Sequence, residues 1–422
     1  MTQIENILMQ LNKVKVTSIL LIILLISVSN VQALFFSQLE NKTYLNNKND
    51  YDERFFDFKM NFYRVLGSFP SLSTCIIKDD RVVWSRSYGY SNVYKRNLAS
   101  TDTIYSVGSI SKTILTTGFL QLYENESYGV DLDDDVNKYL PFSLSNPKYP
   151  NVNITIRMLL SHRSSIFDYF GFSLKGLVFD MPKVLDFPED LGEWLRNILV
   201  PGGSMYREEY WLDFPPGESA CYSSIGFFVV SYLFEIIAGE KIEDYFQRNI
   251  FEPLGMKDTS YKLEELDQNK IATPYIKKLG FYIPLKNKDF KGFAGVGGLR
   301  TTLNDLSNFL IAHMNNGSYN NVRILKNETI KLMHNTIYPE TVLTSAEGYY
   351  YGYGWWSSPV CGERLEGHGG KIPGCECKMV VNQSSKTGFI LLSNHDNMFG
   401  DRLKEKIFVN IFSSLFEKAE NY

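Results

Sequence analysis

Apolar positions fall into distinct patterns along the chain. Behind Lys13 and Lys15 comes an unbroken apolar run, Ser18-Ile-Leu-Leu-Ile-Ile-Leu-Leu-Ile-Ser-Val28, followed by polar Ser29 and Asn30 and the small-residue step Val31-Gln-Ala33. From Leu34 to about Glu53 the chain turns polar and loses apolar periodicity, as expected of a tether. β-rich segments follow: Leu72-Ser-Thr-Cys-Ile-Ile-Lys and Arg81-Val-Val-Trp-Ser-Arg-Ser-Tyr flank Asp79-Asp80, which predicts a hairpin. Two further strands are predicted late, over Cys375 to Asn382 and Gly388 to Asn394. Between them the spacing predicts helices over Ser111 to Glu124, Phe227 to Ala238 and Leu303 to Met314, the last opened by a Thr302-x-x-Asp305 capping pattern. Leu403, Ile407, Ile411 and Leu415, at four-residue steps, predict a final amphipathic helix. Both ends of the domain therefore build one antiparallel sheet flanked by helices, an α/β (α+β) fold with a mostly helical insertion and no internal repeat.

Three divisions follow: a signal peptide over 1–33, a tether over 34–55 and one domain over 56–422. The oily run is too short for a comfortable membrane span. The alternative is a signal anchor, which alone would place the protein on a membrane. Sequons at Asn41, Asn125, Asn153, Asn316, Asn327 and Asn382 fit a secretory route to the outside or to an endomembrane lumen.

Composition narrows the partners. With 422 residues, 44% of them hydrophobic, the chain can bury a large core. Its 47 acidic and 43 basic residues are interspersed, without the basic stripe that a phosphate backbone needs, so no nucleic-acid partner is expected. Cys375 and Cys377 stand two apart on a predicted strand and are expected to point to opposite faces and share no partner. One or two disulfides among the five cysteines are then open, with at least one thiol left over.

Ser109-Ile-Ser-Lys112 puts a hydroxyl and an amine at i and i+3 on one helical face. A serine is inert at neutral pH unless a base takes its proton, and a lysine can be that base if burial and a helix's positive end lower its pKa. A second copy, Ser145-Asn-Pro-Lys148, contains Pro147, which disfavours a helical turn.

The surroundings separate the two copies. Ile104-Tyr-Ser-Val-Gly-Ser-Ile-Ser-Lys-Thr-Ile-Leu, with Leu120-Gln-Leu-Tyr-Glu and Val130-Asp-Leu-Asp-Asp-Asp-Val-Asn-Lys-Tyr-Leu-Pro, resembles the nucleophile segment of the class C β-lactamase-like family. That family includes penicillin-binding carboxypeptidases, D-aminopeptidases, family-VIII esterases, acyltransferases and animal β-lactamase-like proteins. Further blocks match in order: Ile156-Arg-Met-Leu-Leu-Ser-His162-Arg-Ser-Ser, with Ser165 where Gly is usual; Phe214-Pro-Pro-Gly-Glu-Ser-Ala-Cys-Tyr-Ser-Ser224; Pro253-Leu-Gly-Met-Lys-Asp-Thr; Ala294-Gly-Val-Gly-Gly-Leu-Arg-Thr-Thr-Leu-Asn-Asp-Leu; and Gly367-His-Gly-Gly-Lys-Ile-Pro-Gly.

The resemblance spans about Phe56 to Phe416. It implies a serine hydrolase that acts on a small-molecule or peptide-like ester or amide through an acyl-enzyme, with neither metal nor organic cofactor. Ser109 is then the nucleophile, Lys112 its proton acceptor, Tyr222 the phenol that passes the proton to the leaving group, and His368 the third-motif residue across the cleft. The backbone N–H groups of Ser109 and Lys371 would form the oxyanion hole, with Gly369, Gly370 and Ser224 along the substrate. Ser224 departs from the family's Tyr-x-Asn pattern, and the loss of the amide weakens the expectation of β-lactam or peptide recognition. An acyltransferase of the same fold, or a binding protein that has lost activity, remains an alternative.

Other residues read differently. Lys386-Thr-Gly388 spells a third motif of many penicillin-binding proteins, but its polar setting between two strands reads as a hairpin turn. His162 reads as a hydrogen-bonded structural histidine; His313, His334 and His395, without metal-ligand spacing, as structural or exposed. Cys221 lacks a local thiol-protease signature. N-terminal sequencing of secreted protein should find a mature chain that begins near Leu34, and an intact Met1 on an unglycosylated cytosolic protein would overturn the secretory reading.

Overall fold

A computed structural model of the chain describes residues 48–168, 190–278, 280–289, 294–335, 350–360, 362–396 and 402–422. The segment expected to be a signal peptide, with the expected cleavage at Ala33, and the sequon at Asn41 lie outside the described residues. The chain divides into a first unit ending at Lys59 and a larger one, Met60–Tyr422. Helix α1, Lys48–Leu66, starts inside the segment expected to be a tether. Its Phe55, Phe58 and Phe62, at three- and four-residue steps, supply a helical period that the polar residues around them obscure.

An eight-stranded sheet forms the centre of the larger unit. Its strands are β1 (Ser71–Lys78), β2 (Arg81–Asn92), β3 (Asn97–Leu98), β4 (Tyr350–Tyr351), β5 (Trp356–Val360), β6 (Glu363–Ile372), β7 (Cys375–Asn382) and β8 (Thr387–Ser393), in the order β4-β5-β6-β7-β8-β1-β2-β3. All pairings are antiparallel. The two ends of the domain meet where β8 pairs with β1, Leu72 opposite Ser393. Asp79, at φ +56°, turns the first hairpin, and Lys386, at φ +47°, turns the β7–β8 hairpin. Lys386 is exposed in the turn that its composition suggests, while Thr387 and Gly388 open β8.

Residues of β1, β7 and β8 are buried on both faces because helices cover both. On one face lies the last helix, α7 (Arg402–Ala419), whose Ile407, Ile411 and Leu415 are buried and whose Phe412 and Phe416 meet the Phe389 ring at 6.3 and 4.5 Å. Each such aliphatic side chain stabilises the fold by roughly 1.5–3 kcal/mol. On the other face lie α2 (Ser111–Glu124), α3 (Ile156–Leu160), α4 (Ser224–Ala238), α5 (Leu303–Met314) and α6 (Asn327–His334). Thr302 caps α5 by accepting from Asp305 N–H at 3.0 Å. Helix α4 starts three residues before the predicted Phe227, with Ser223 as its cap.

The cysteine expectation is corrected. Side chains alternate along a strand, so residues two apart share a face. Cys375 and Cys377 both face the helical body, with their sulfurs 3.4 Å apart and both free. Cys75 and Cys221 are free and buried as well, whereas Cys361 lies outside the described residues. His313, His334 and His395 are all largely enclosed: His313 Nδ1 lies 3.1 Å from His334 Nε2, and His334 Nδ1 lies 3.0 Å from Glu366 Oε2.

Burial separates the sequon asparagines among the described residues. Asn125, Asn153 and Asn316 are exposed. Asn382 is buried: its Nδ2 donates to Glu363 Oε2 at 2.7 Å and its Oδ1 accepts from the N–H groups of Ser384 and Ser385. A glycan on Nδ2 would displace that arrangement. Glycopeptide mapping of folded secreted protein should therefore find Asn382 unoccupied, and a glycan there would refute the β7 register.

Candidate active site

Ser109 sits in a 3-10 turn, Gly108–Ile110, that runs directly into α2. Gly108 has φ +52°, a conformation that glycine adopts at little cost. The second serine of the motif braces this turn: Ser111 Oγ donates to Gly108 O at 2.7 Å and accepts from Leu299 N–H at 3.2 Å.

Lys112, in the first turn of α2, is fully buried. Its Nζ lies 3.0 Å from Ser109 Oγ and donates to Val296 O at 3.1 Å. The rings of Tyr222 and Phe227 lie 5.2 and 5.8 Å from it, centroid to nitrogen. Val296 belongs to the buried glycine-rich turn Ala294–Gly298. A Cβ on Gly295 would fall 2.6 Å from Ser231 Oγ and 3.0 Å from Leu115 Cδ2, so the turn can lie against α2 and α4 only with glycine there.

Strand β6 forms the other side. Its pairing with β5 ends at Gly367, so among the described residues His368–Ile372 present an edge to the Ser109 turn. The approach is close: a Cβ on Gly370 would fall 1.7 Å from Val107 O and 3.3 Å from Ser109 N, and one on Gly108 would fall 2.9 Å from Lys371 N. The two N–H groups expected to form an oxyanion hole thus belong to segments in contact. Gly369 differs, since its added Cβ would point to the flexible Lys378 amine at 3.3 Å. The Lys371 side chain pairs with Asp396 at 3.2 Å.

His368 is buried, with Nδ1 2.6 Å from Gly369 O. A carbonyl only accepts, so Nδ1 carries the proton. Burial, and next the charge of Lys112, push the imidazole down to about 3, which keeps it neutral in the working range. Its ring lies 6.1 Å from that of Tyr222, which ends the segment before α4. Ser109, Lys112, Tyr222, His368 and Lys371 are therefore gathered in one place, whereas the other Ser-x-x-Lys pair is not arranged this way. Residues Pro147 and Lys148 form a turn, and the exposed Lys148 lies 3.7 Å from Asp213.

Ser224 is the first residue of α4, half-buried, and its N–H donates to Asp168 Oδ2 at 2.7 Å. Neither Asp168 nor Val296 O was among the sequence candidates. A backbone carbonyl has no sequence signature, and Asp168 follows its histidine block without any spacing that marks it. Ser165, which stands where the family usually has Gly, has φ +58°, the left-handed region that explains the glycine; its hydroxyl accepts from the buried Asn146 at 2.9 Å. Among the described residues no cluster of three or more His, Cys, Asp or Glu could hold a metal.

Comparison with known proteins gives the same picture. A family model described as Beta-lactamase matches residues 61–411. A penicillin-binding protein of Bacillus subtilis (strain 168) is 25% identical over 330 residues, covering 75% of this chain and 66% of that protein. A putative D-alanyl-D-alanine carboxypeptidase of Escherichia coli (strain K12) is 23% identical over 323 residues, covering 68% of each. The chain thus spans about two thirds of the length of these relatives. The octameric penicillin-binding protein homologue from Pyrococcus abyssi superposes with a TM-score of 0.71 at 26% identity, covering 87% of this chain and 78% of that one.

The two glycines of β6 give a direct test. Gly370→Ala forces the Ser109 turn away from β6 and should abolish activity or folding, while Gly369→Ala should stay within about twofold of the parent in activity. Equal sensitivity at both positions would mean that the close approach at Gly370 does not define the site.

Proposed function

We propose that this chain, which belongs to the Beta-lactamase family of serine hydrolases, cleaves a small ester or amide through an acyl-enzyme on Ser109. The observation that carries this reading is the Lys112 amine 3.0 Å from Ser109 Oγ, enclosed beside a strand edge that offers backbone N–H groups. Lys112, in the neutral amine form that can accept, takes the hydroxyl proton as Oγ attacks the substrate carbonyl. Negative charge gathers on the carbonyl oxygen, and the N–H groups of Ser109 and Lys371 stabilise it, two fixed dipoles in a water-poor site. Tyr222 passes the proton to the departing alcohol or amine, and water then releases the acid and restores Ser109. His368, neutral, lines the site beside Tyr222.

Secretion belongs to the same reading, supported by the apolar run behind Lys13 and Lys15 and by exposed sequons. The substrate class follows from Ser224. A hydroxyl has a shorter reach than the amide of Asn, so a substrate amide is held more weakly by about one hydrogen bond, roughly 0.5–1.5 kcal/mol. Esters need less of that orientation.

A fluorophosphonate should modify Ser109, with labelling lost in Ser109→Ala; an adduct on Cys221 or Ser145 would overturn the assignment. His368→Ala should lower turnover by about a hundredfold, the scale of losing a positioned group, whereas Lys386→Ala should be nearly neutral. For substrate class, kcat/KM should be higher for a nitrophenyl ester than for a chromogenic cephalosporin, and Ser224→Asn should narrow the difference. An unchanged ratio would show that position 224 does not set it.

A further inference from the structure

The segment that carries Tyr222 is held by one loop, residues 161–168, which follows α3. His162 O accepts from Cys221 N–H at 2.8 Å, and His162 Nδ1 accepts from Ser223 N–H at 3.1 Å. Asp168 Oδ1 accepts from Ser223 Oγ at 3.1 Å and from Ile225 N–H at 2.8 Å, while Oδ2 accepts from Ser224 N–H at 2.7 Å. Tyr222 therefore lies between residues bound on both sides. Its ring rests against the His162 ring, 4.6 Å between centroids, and His162 is packed in turn on Phe227 and Tyr351, each at 4.9 Å.

We propose that His162 and Asp168 are positioning residues for Tyr222, setting the phenol against Lys112 and Ser109 without touching substrate. This rests on the reading of Tyr222 as the group that passes the proton to the leaving group. A backbone N–H can only donate, so His162 Nδ1 is an acceptor and the ring proton sits on Nε2. Burial, with the charge of Lys112 adding to it, holds the His162 pKa well below its ordinary value, and the acceptor therefore persists through the working pH range. His162 also has φ +59°, the left-handed region, which histidine enters more often than most residues with a side chain. The Nδ1 bond and the ring contacts hold it there. Asp168 contributes a charge-assisted clamp at the start of α4, where two helix N–H groups and the Ser223 hydroxyl converge on one carboxylate. Rotation of the Tyr222 backbone would break bonds to both residues together.

The test uses His162→Leu, which removes the acceptor, His162→Asn, whose Oδ1 reproduces an acceptor near Nδ1 and which tolerates positive φ, and the isosteric Asp168→Asn. Each is made in the full chain and in a Tyr222→Phe background, with kcat and KM for a nitrophenyl ester and the melting temperature measured together. His162→Leu and Asp168→Asn should lower kcat by about tenfold or more with KM nearly constant, His162→Asn should recover most of the rate, and none should slow Tyr222→Phe further. Losses that multiply with that of Tyr222→Phe, or that track the fraction of folded protein, would mean that the loop only stabilises the fold and would overturn the proposal. If Tyr222→Phe itself keeps the full rate, the phenol's role and this inference fall together. Continued fluorophosphonate labelling of Ser109 would then show that the hydrolase reading stands without them.

Discussion

The contact between the Lys112 amine and the Ser109 hydroxyl sets the demands that the rest of the site meets. A fully enclosed amine needs hydrogen-bond acceptors, because a buried polar group without them is strongly disfavoured. Ser109 Oγ supplies one contact and Val296 O another. The second requires a carbonyl brought to the flank of α2, and the glycine-rich turn brings it, since side chains at Gly295 would collide with Ser231 and Leu115. Thus a motif of two residues depends on a segment 184 positions later in the chain.

The sheet meets a second demand, that of backbone N–H groups near Ser109. An N–H donor lies within the strand and cannot extend towards a substrate as a side chain can, so the strand itself must come close. β6 does so beyond the point where β5 stops pairing, and Gly108 and Gly370 permit backbone-to-backbone contact. The ion pair of Lys371 with Asp396 ties the side chain of the same residue to the segment after β8. Helix α7 anchors that end of the domain through Phe412 and Phe416 on Phe389. Packing distant from the site therefore fixes the position of the donor edge.

Tyr222 adds a third element, joined to the body by a different means. Its ring lies tilted against that of His162 and near the Lys112 amine, while its backbone neighbours are bound by His162 and Asp168. Neutral imidazoles at His162 and His368 flank it. Their pKa values are depressed first by burial and next by the nearby Lys112, so neither ring takes up a positive charge beside it.

The sequence alone determined the local elements and singled out the side chains that the structure brings together at the candidate site. Period-two and period-3.6 patterns locate β1, β2, β7, β8, α2, α5 and α7, because burial of one face or stripe fixes those periods. Ser109 and Lys112 were legible because the blocks around them resemble those of the β-lactamase-like family, since the same spacing recurs at Ser145 and Lys148, and Lys386 was legible as a turn from its polar neighbours. Tertiary structure decided what no local pattern encodes. It placed the Val296 carbonyl on Lys112 and Asp168 on the start of α4, and it enclosed His313 and His334 together beside Glu366. The shared face of Cys375 and Cys377, by contrast, is a local matter, because strand alternation puts residues two apart on one side. Hydrogen bonds to backbone atoms and contacts between distant segments depend on where the chain returns to itself, and residue type and spacing along the chain carry no direct record of that.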